Sequence, residues 1–232
     1  MVVINKPSGL LVHRTKLDFG VRTSAVQQLR DQLSTHVYPA HRLDRPTSGA
    51  LLFALDPIAH QRLSSAFEHG AIAKRYLAIV RGWPPDDMTI DHPLRRLSDD
   101  GIALGEETAQ RAVTSLRTLA RTELPVPIDR YPAARYALVE LTPTTGRRHQ
   151  LRRHLKHANH PIIGDTTYGQ GTHNRLFRER FGCSRLLLHA SRLELAHPSS
   201  GVTLTVPAPP LADFAAVAIS LGFAEALETL VS

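Results

Sequence analysis

The segment best suited to chemistry is His41-Arg42-Leu43-Asp44-Arg45-Pro46-Thr47-Ser48-Gly49, which sets six polar side chains ahead of the apolar run Ala50–Leu55. Pro46 has no N–H to donate and pushes Arg45 towards an extended backbone, so Asp44 is expected on a loop that enters a buried strand. An isolated aspartate would simply cap a turn. The density of polar groups beside a buried strand argues instead for a site. A nearby guanidinium favours the ionised form of a carboxylate, which could act as a nucleophile or as a general base. The residues do not choose between those two roles.

A second segment carries positive charge. Thr145–His160 holds Arg147, Arg148, Arg152, Arg153 and Lys156 with His149, His154, His157 and His160, and contains no Asp or Glu. Helical spacing turns Leu151, Leu155 and Ala158 inwards and sets Arg148, Arg152 and Lys156 in a stripe beside them. Arg152 then lies at the edge of the core, where it can be partly buried and still reach a carboxylate. Helices stabilised by surface ion pairs mix signs, so an acid-free segment suggests phosphate contacts rather than a plain solvated face. Three of the histidines could suggest a metal, but there is no HExxH pattern and no carboxylate among them, and no metal is expected. Tyr76, in Lys74-Arg75-Tyr76, falls in a strand, where it serves equally well as core or as a platform for a nucleobase. Asn5-Lys6-Pro7-Ser8-Gly9 is not a phosphate-binding Walker loop and no GxGxxG occurs, so no nucleotide cofactor is implied. No second carboxylate lies near Asp44, which disfavours two-acid glycoside hydrolysis.

These residues need a scaffold, and the chain is long enough to build one. Its 232 residues are 42% hydrophobic and 21% charged, with a net charge of +7, which excludes a disordered tail or a small stapled scaffold. Cys183 is the single cysteine, so no intramolecular disulfide or cysteine-rich zinc site can form. No apolar run approaches the roughly 20 residues of a membrane span, and the first residues lack the pattern of a signal peptide. A cytoplasmic protein is expected. Strands are expected at Val2–Ile4, Leu10–Val12, Ala50–Leu55, Ile72–Val80, Ala112–Leu119 and Tyr136–Leu141, with a hairpin joining Leu193–Leu195 to Val202–Val206. Helices are expected over Ser24–Leu33, from Asp56-Pro57 to Gly70, and in the tail, where Phe214, Val217, Ala218 and Leu221 share a face. Asp86–Leu104 and Leu124–Pro132 read as irregular. The pattern is α+β, a mostly antiparallel mixed sheet with flanking helices, in one catalytic domain spanning 1–232.

Taken in order, Asn5-Lys6-Pro7-Ser8-Gly9, His41-Arg42-Leu43-Asp44 with Thr47-Ser48-Gly49, Lys74-Arg75-Tyr76 and Thr145-Gly146-Arg147-Arg148-His149-Gln150-Leu151-Arg152 resemble the RluA family of pseudouridine synthases. His160-Pro161-Ile162-Ile163-Gly164-Asp165 and Leu187-Leu188-His189-Ala190-Ser191 continue the likeness along nearly the whole chain. The resemblance implies that family's fold, with a central basic cleft, and isomerisation of a uridine to pseudouridine in RNA. The implied target is a uridine in the acceptor-arm region of tRNA. Ribosomal RNA is the alternative substrate, and a non-catalytic RNA-binding protein is the alternative function. Asp44 resembles the catalytic aspartate, Tyr76 the base-stacking tyrosine and Arg152 the arginine that pairs with that aspartate. Arg42 resembles the residue that fills the gap left by the extruded base, and Leu188 an apolar pocket residue. Arg147, Arg148, Arg153 and Lys156 are the expected RNA contacts. The resemblance implies no cofactor and no S4-type RNA-binding domain, and a monomer is expected.

Overall fold

The computed structural model describes residues 1–13, 23–98 and 101–229, so part of the segment read as irregular and the last three residues of the tail lie outside it. The chain forms two compact units, one of Met1–Lys74 with His189–Leu211 and the other of Arg75–Leu188 with Ala212–Ser232.

The first unit is organised around β3 (Ser48–Ala54), whose seven residues are all buried. β1 (Val2–Lys6) and β2 (Tyr38–Pro39) pair with it antiparallel. β8 (Leu188–Ala196) pairs with it in parallel, Ser48 opposite His189 and Gly49 opposite Ala190, and β9 (Thr203–Pro207) completes the expected hairpin with β8. Two helices cover the unit's strands or their connections. In α1 (Ala25–Leu33) the Ser24 hydroxyl caps the Gln27 N–H at 3.3 Å. In α2 (Pro57–Glu68) an Asp56 oxygen accepts from the Ala59 N–H at 2.8 Å and proline stands in the first turn, as the Asp-Pro pair foretold. Leu10–Val12 is not a strand. The carbonyls of Leu11 and Val12 instead accept from Ala25 and Val26 at 2.8 and 3.1 Å, satisfying orphan donors at the start of α1. Leu33, in the last turn of α1, is 39% exposed.

The second unit is a four-stranded antiparallel sheet, β4 (Ala73–Arg81), β7 (Ala134–Pro143), β6 (Val113–Leu124) and β5 (Asp87–Asp91), with β4 starting at the end of the first unit. Both faces are covered, and the period-two alternation of the strands shows it. Leu77 and Ile79 of β4 and Tyr136 and Leu138 of β7 pack with Phe177, Phe214, Val217 and Ala218. Tyr76, Ala78 and Val80 face the other way, with Ala137 and Val139, against Leu151 and Leu155. The first set meets α4 (Gly171–Phe181) and α5 (Ala212–Ser220), beside the short α6 (Ala224–Glu228). The second meets α3 (Gln150–His157), the predicted basic helix. β5 lies within 86–104, which the sequence predicts to be irregular, so the structure corrects that expectation. Its alternation is carried by two apolar residues only, Met88 and Ile90, and pairing with β6 supplies the rest. β6 also runs five residues past the expected Leu119, and α4 went unread because Leu176, Phe177 and Phe181 make too sparse an apolar stripe.

The glycine at position 49 is obligatory. Gly49 has φ of +112°, and a Cβ there would collide with the backbone of Ala190 on the paired strand. Gly49→Ala is therefore expected to destabilise the protein by roughly 3 kcal/mol, read as a lower urea midpoint at unchanged slope.

Candidate active site

Asp44 lies in the first unit on the loop that feeds β3, as its proline neighbour implied. Its carbonyl accepts from Thr47 N–H at 3.0 Å and closes a turn whose partly exposed crest is Arg45-Pro46. The Asn5–Leu10 segment buckles that turn in place. The Gly9 N–H donates to Arg45 O at 2.9 Å, Arg45 Nε donates back to Gly9 O at 3.0 Å, and the Ser8 hydroxyl donates to Pro46 O at 2.7 Å. Lys6 is fully buried, and its ammonium donates to the carbonyls of Pro7, Leu10 and Arg45 at 3.0, 2.8 and 3.1 Å. Removing an ammonium from water is costly unless such oxygens surround it, so these bonds fix the backbone next to Asp44. Asp44 itself is half-buried and Arg42 is exposed.

Two histidines brace the same loop and strand. His41 stacks on Phe67 with ring centroids 4.3 Å apart, and its Nε2 accepts from the Leu52 N–H at 3.1 Å. Burial, and then the Lys74 ammonium, push its pKa down to about 3, so the ring is neutral and remains an acceptor. His189 is fully buried, its Nε2 donating to Ala208 O at 2.8 Å while Nδ1 meets the Ser48 hydroxyl at 2.8 Å. Both ring nitrogens are thereby bonded, which makes it a structural histidine.

In the second unit Tyr76 is half-buried on β4, opposite Leu141 of β7, its ring against the cluster that α3 covers. Arg152, on α3, is 5% exposed, at the core boundary where the helical spacing put it. Its Nε and Nη2 donate to the two oxygens of Asp165 at 2.7 and 2.9 Å. The Tyr168 ring lies 5.0 Å from the guanidinium carbon. Burial works to raise the Asp165 pKa, but bonds from Arg152 and from the Tyr168 and Thr167 N–H groups outweigh it and hold the carboxyl below its ordinary value. α3 is seated by buried polar groups that the sequence did not single out. Gln150 accepts from Thr145 and Arg147 and donates to Val113 O and Thr114 Oγ1. His154, one of the histidines of the acid-free segment, is fully buried between Thr114 Oγ1 at 2.9 Å and His92 O at 3.0 Å. Burial lowers its pKa, so the neutral ring donates through Nε2 and accepts through Nδ1.

The predicted RNA contacts separate. Arg147, Arg148 and Arg153 line one cavity of about 150 Å³, joined there by Arg95, Arg96 and Gln110. Arg148 stands in the turn before α3 rather than along the helix, so it is not part of a continuous stripe. Arg147 Nε donates to Arg111 O, Arg148 to Ser98 O and Arg153 to Arg95 O, which ties those three residues to α3 and the turn before it. Burial lowers the Arg153 pKa, Tyr168 opposes that and Arg95 adds to it. Lys156 is exposed and does not line the cavity. Arg95 and Arg96 were missed because they fall in the segment read as a plain loop. A local signal does mark Asp165, since Gly164-Asp165-Thr166-Thr167 before an aromatic is the composition of an Asx turn.

The pattern of the family described as RNA pseudouridylate synthase matches residues 1–157. The tRNA pseudouridine synthase C of Salmonella typhimurium is 53% identical over 211 residues, covering 90% of this chain and 81% of that protein. The protein of the same description from Vibrio cholerae is 48% identical, covering 90% and 86%. Among solved structures, human RNA pseudouridylate synthase domain containing 1 superposes with a TM-score of 0.69 at 29% identity, covering 91% of this chain and 81% of that one. Human RNA pseudouridylate synthase domain containing 4 gives 0.69 at 27% identity, covering 95% and 89%.

The histidines set a pH dependence. A histidine whose folded pKa lies below its unfolded value contributes stability that is present above about pH 6.5 and is lost as pH falls towards the folded value. His41 falls to about 3, and His173, buried against Tyr136, to about 4. The urea midpoint should therefore decline steadily from pH 7 to pH 4, and His41→Gln should flatten that decline. A midpoint independent of pH over this range would show that these rings are not held neutral.

Proposed function

Because this chain belongs to the RNA pseudouridylate synthase family, we propose that it converts a uridine of tRNA to pseudouridine, in the cytoplasm, as a monomer and with 1–232 serving as one catalytic domain. The observation that carries the tRNA reading is the half identity, over nine-tenths of the chain, to proteins described as tRNA pseudouridine synthase C. Within tRNA, the proposed target is a uridine of the acceptor-arm region, which the motif resemblance implies. Among the described residues no helix is long and apolar enough to cross a membrane.

The reaction breaks the N1–C1′ bond, turns the base and forms a C5–C1′ bond. The C5 proton leaves and N1 gains one, so atoms and electrons balance without an acceptor. A base inside a stem cannot be reached, and flipping it out costs a few kcal/mol. Arg147, Arg148, Arg153 and Lys156, with Arg95 and Arg96, offset that cost through phosphate contacts, and Arg42 occupies the vacated space. Asp44 attacks C1′ or takes the C2′ proton, and either role uses the ionised carboxylate. Arg152 supports that charge. Tyr76 stacks on the base and helps remove the C5 proton, and Leu188 contributes apolar lining. The cluster of arginines around one cavity, and the rigid seating of the Asp44 turn, support these roles.

Asp44→Asn should abolish pseudouridine formation while leaving tRNA affinity within about twofold, since phosphate contacts dominate binding. Turnover by that variant would remove Asp44 from the mechanism. The pair Arg96→Gln and Arg147→Gln should weaken tRNA binding and reduce the slope of log K against log salt by about 2, roughly one for each phosphate left without its arginine. Pseudouridine mapping in a deletion strain should show a site missing from tRNA. A site missing from ribosomal RNA alone would transfer the chemistry to that substrate.

A further inference from the structure

We propose that Asp165 is the positioning residue of this enzyme, fixing the Arg152 guanidinium in the one orientation from which it acts. The inference rests on the assignment of Arg152 to the reaction, and it adds a residue that the assignment does not include.

An arginine side chain has four rotatable bonds and no preferred direction when solvated. Here its freedom is removed on two sides. Asp165 takes Nε and Nη2 side-on, the bidentate arrangement that fixes the guanidinium in its own plane. The Tyr168 ring fixes it from its face, and the tyrosine hydroxyl is bound in turn to His149 at 3.0 Å. Of the five N–H groups, the two given to Asp165 hold the side chain, and it acts through the others.

Asp165 is itself over-determined. Its Oδ1 also accepts from the N–H groups of Thr167 and Tyr168, each at 2.9 Å. Its carbonyl accepts from the Gly169 N–H at 3.1 Å and from Asn174 Nδ2 at 2.9 Å. Asn174 Oδ1 accepts in turn from the Gly164 N–H at 2.8 Å, so one side chain of α4 grips the backbone on both sides of the Gly164–Asp165 peptide, where the turn begins. Gly164 and Gly169 bracket that turn where a Cβ would strike the backbone of Arg185 and of Asp165. The 164–169 turn and α4 thus form a rigid mount that presents a carboxylate to α3. An ion pair that served charge balance alone would not need its carboxylate located by two backbone N–H groups and a cross-braced turn.

Steady-state kinetics on tRNA, with thermal unfolding of each variant, tests this. Asp165→Glu keeps the charge but moves it by one methylene, about 1.5 Å, and misplacement on that scale costs about 100-fold in rate. We expect its kcat to fall by that order, with KM within about threefold and a melting curve close to that of the parent. Asp165→Asn, which leaves a buried guanidinium facing an amide, should lose at least as much kcat. Where that variant fails to fold, Tyr168→Leu takes its place, with the carboxylate retained and an expected loss of about tenfold in kcat. Combining Asp165→Glu with Arg152→Gln should be no worse than Arg152→Gln alone, because both act through one guanidinium. A folded Asp165→Glu with parental kcat overturns the proposal, leaving Asp165 as a charge balance only. Parental kcat in Arg152→Gln would instead overturn the role of Arg152 in the reaction.

Discussion

A cation taken out of water must be met by oxygen atoms already held in place, and that requirement shapes both units of this protein. In the first, the ammonium of Lys6 is surrounded by three carbonyls, one of them from the turn that bears Asp44. In the second, the guanidinium of Arg152 is met by both oxygens of Asp165. Breaking a buried charge pair by removing one partner typically costs about 3–5 kcal/mol, far more than a surface ion pair contributes. The cations are therefore commitments of the fold. Where they stand, the backbone or side chain beside them has little freedom left.

That rigidity has a chemical use. Forming pseudouridine demands no redox partner and no transferred group, so the protein must supply orientation and charge above all. The groups that would meet the substrate sit at the ends or edges of well-packed elements. Asp44 precedes a strand with no exposed residue, Tyr76 stands on β4 next to its buried stretch Leu77–Val80, and Arg152 lies on a helix seated by Gln150 and His154. Neutral histidines contribute at several of these points because a neutral imidazole both donates and accepts, and so links a fixed donor to a fixed acceptor.

The arginine-lined cavity follows another rule. Arg147, Arg148 and Arg153 each spend a donor on a backbone carbonyl, of Arg111, Ser98 and Arg95 in turn, which holds those three residues to α3 and the turn before it. Guanidinium groups have five donors, so an arginine can be a strut and a phosphate ligand at once. Lysine could not serve both purposes as well, since its three donors radiate from one atom. This explains a basic patch built almost wholly from arginine.

Much of this architecture was legible in the residues themselves. The alternation in β4 assigns Tyr76, Ala78 and Val80 to one face and Leu77 and Ile79 to the other. Asp56-Pro57 marks the start of α2, and Pro46 marks the loop of Asp44. The acid-free Thr145–His160 segment marks the basic face, and the 3.6 period places Arg152 at its core boundary. Other features were not legible. β5 and α4 carry too few apolar residues to show a period, and Leu10–Val12 shows the pattern of a strand yet spends its carbonyls on a helix. Sequence by itself thus determined which residues share a face, where elements begin and which segments concentrate charge, because those follow from bond geometry over a few neighbouring residues. Tertiary structure alone decided that Lys6 would be buried against Arg45, 39 positions away, and that Arg152 would be gripped by Asp165, 13 positions away. A hydrogen bond acts over about 3 Å, and no local rule states which distant oxygen the folded chain will bring within that reach.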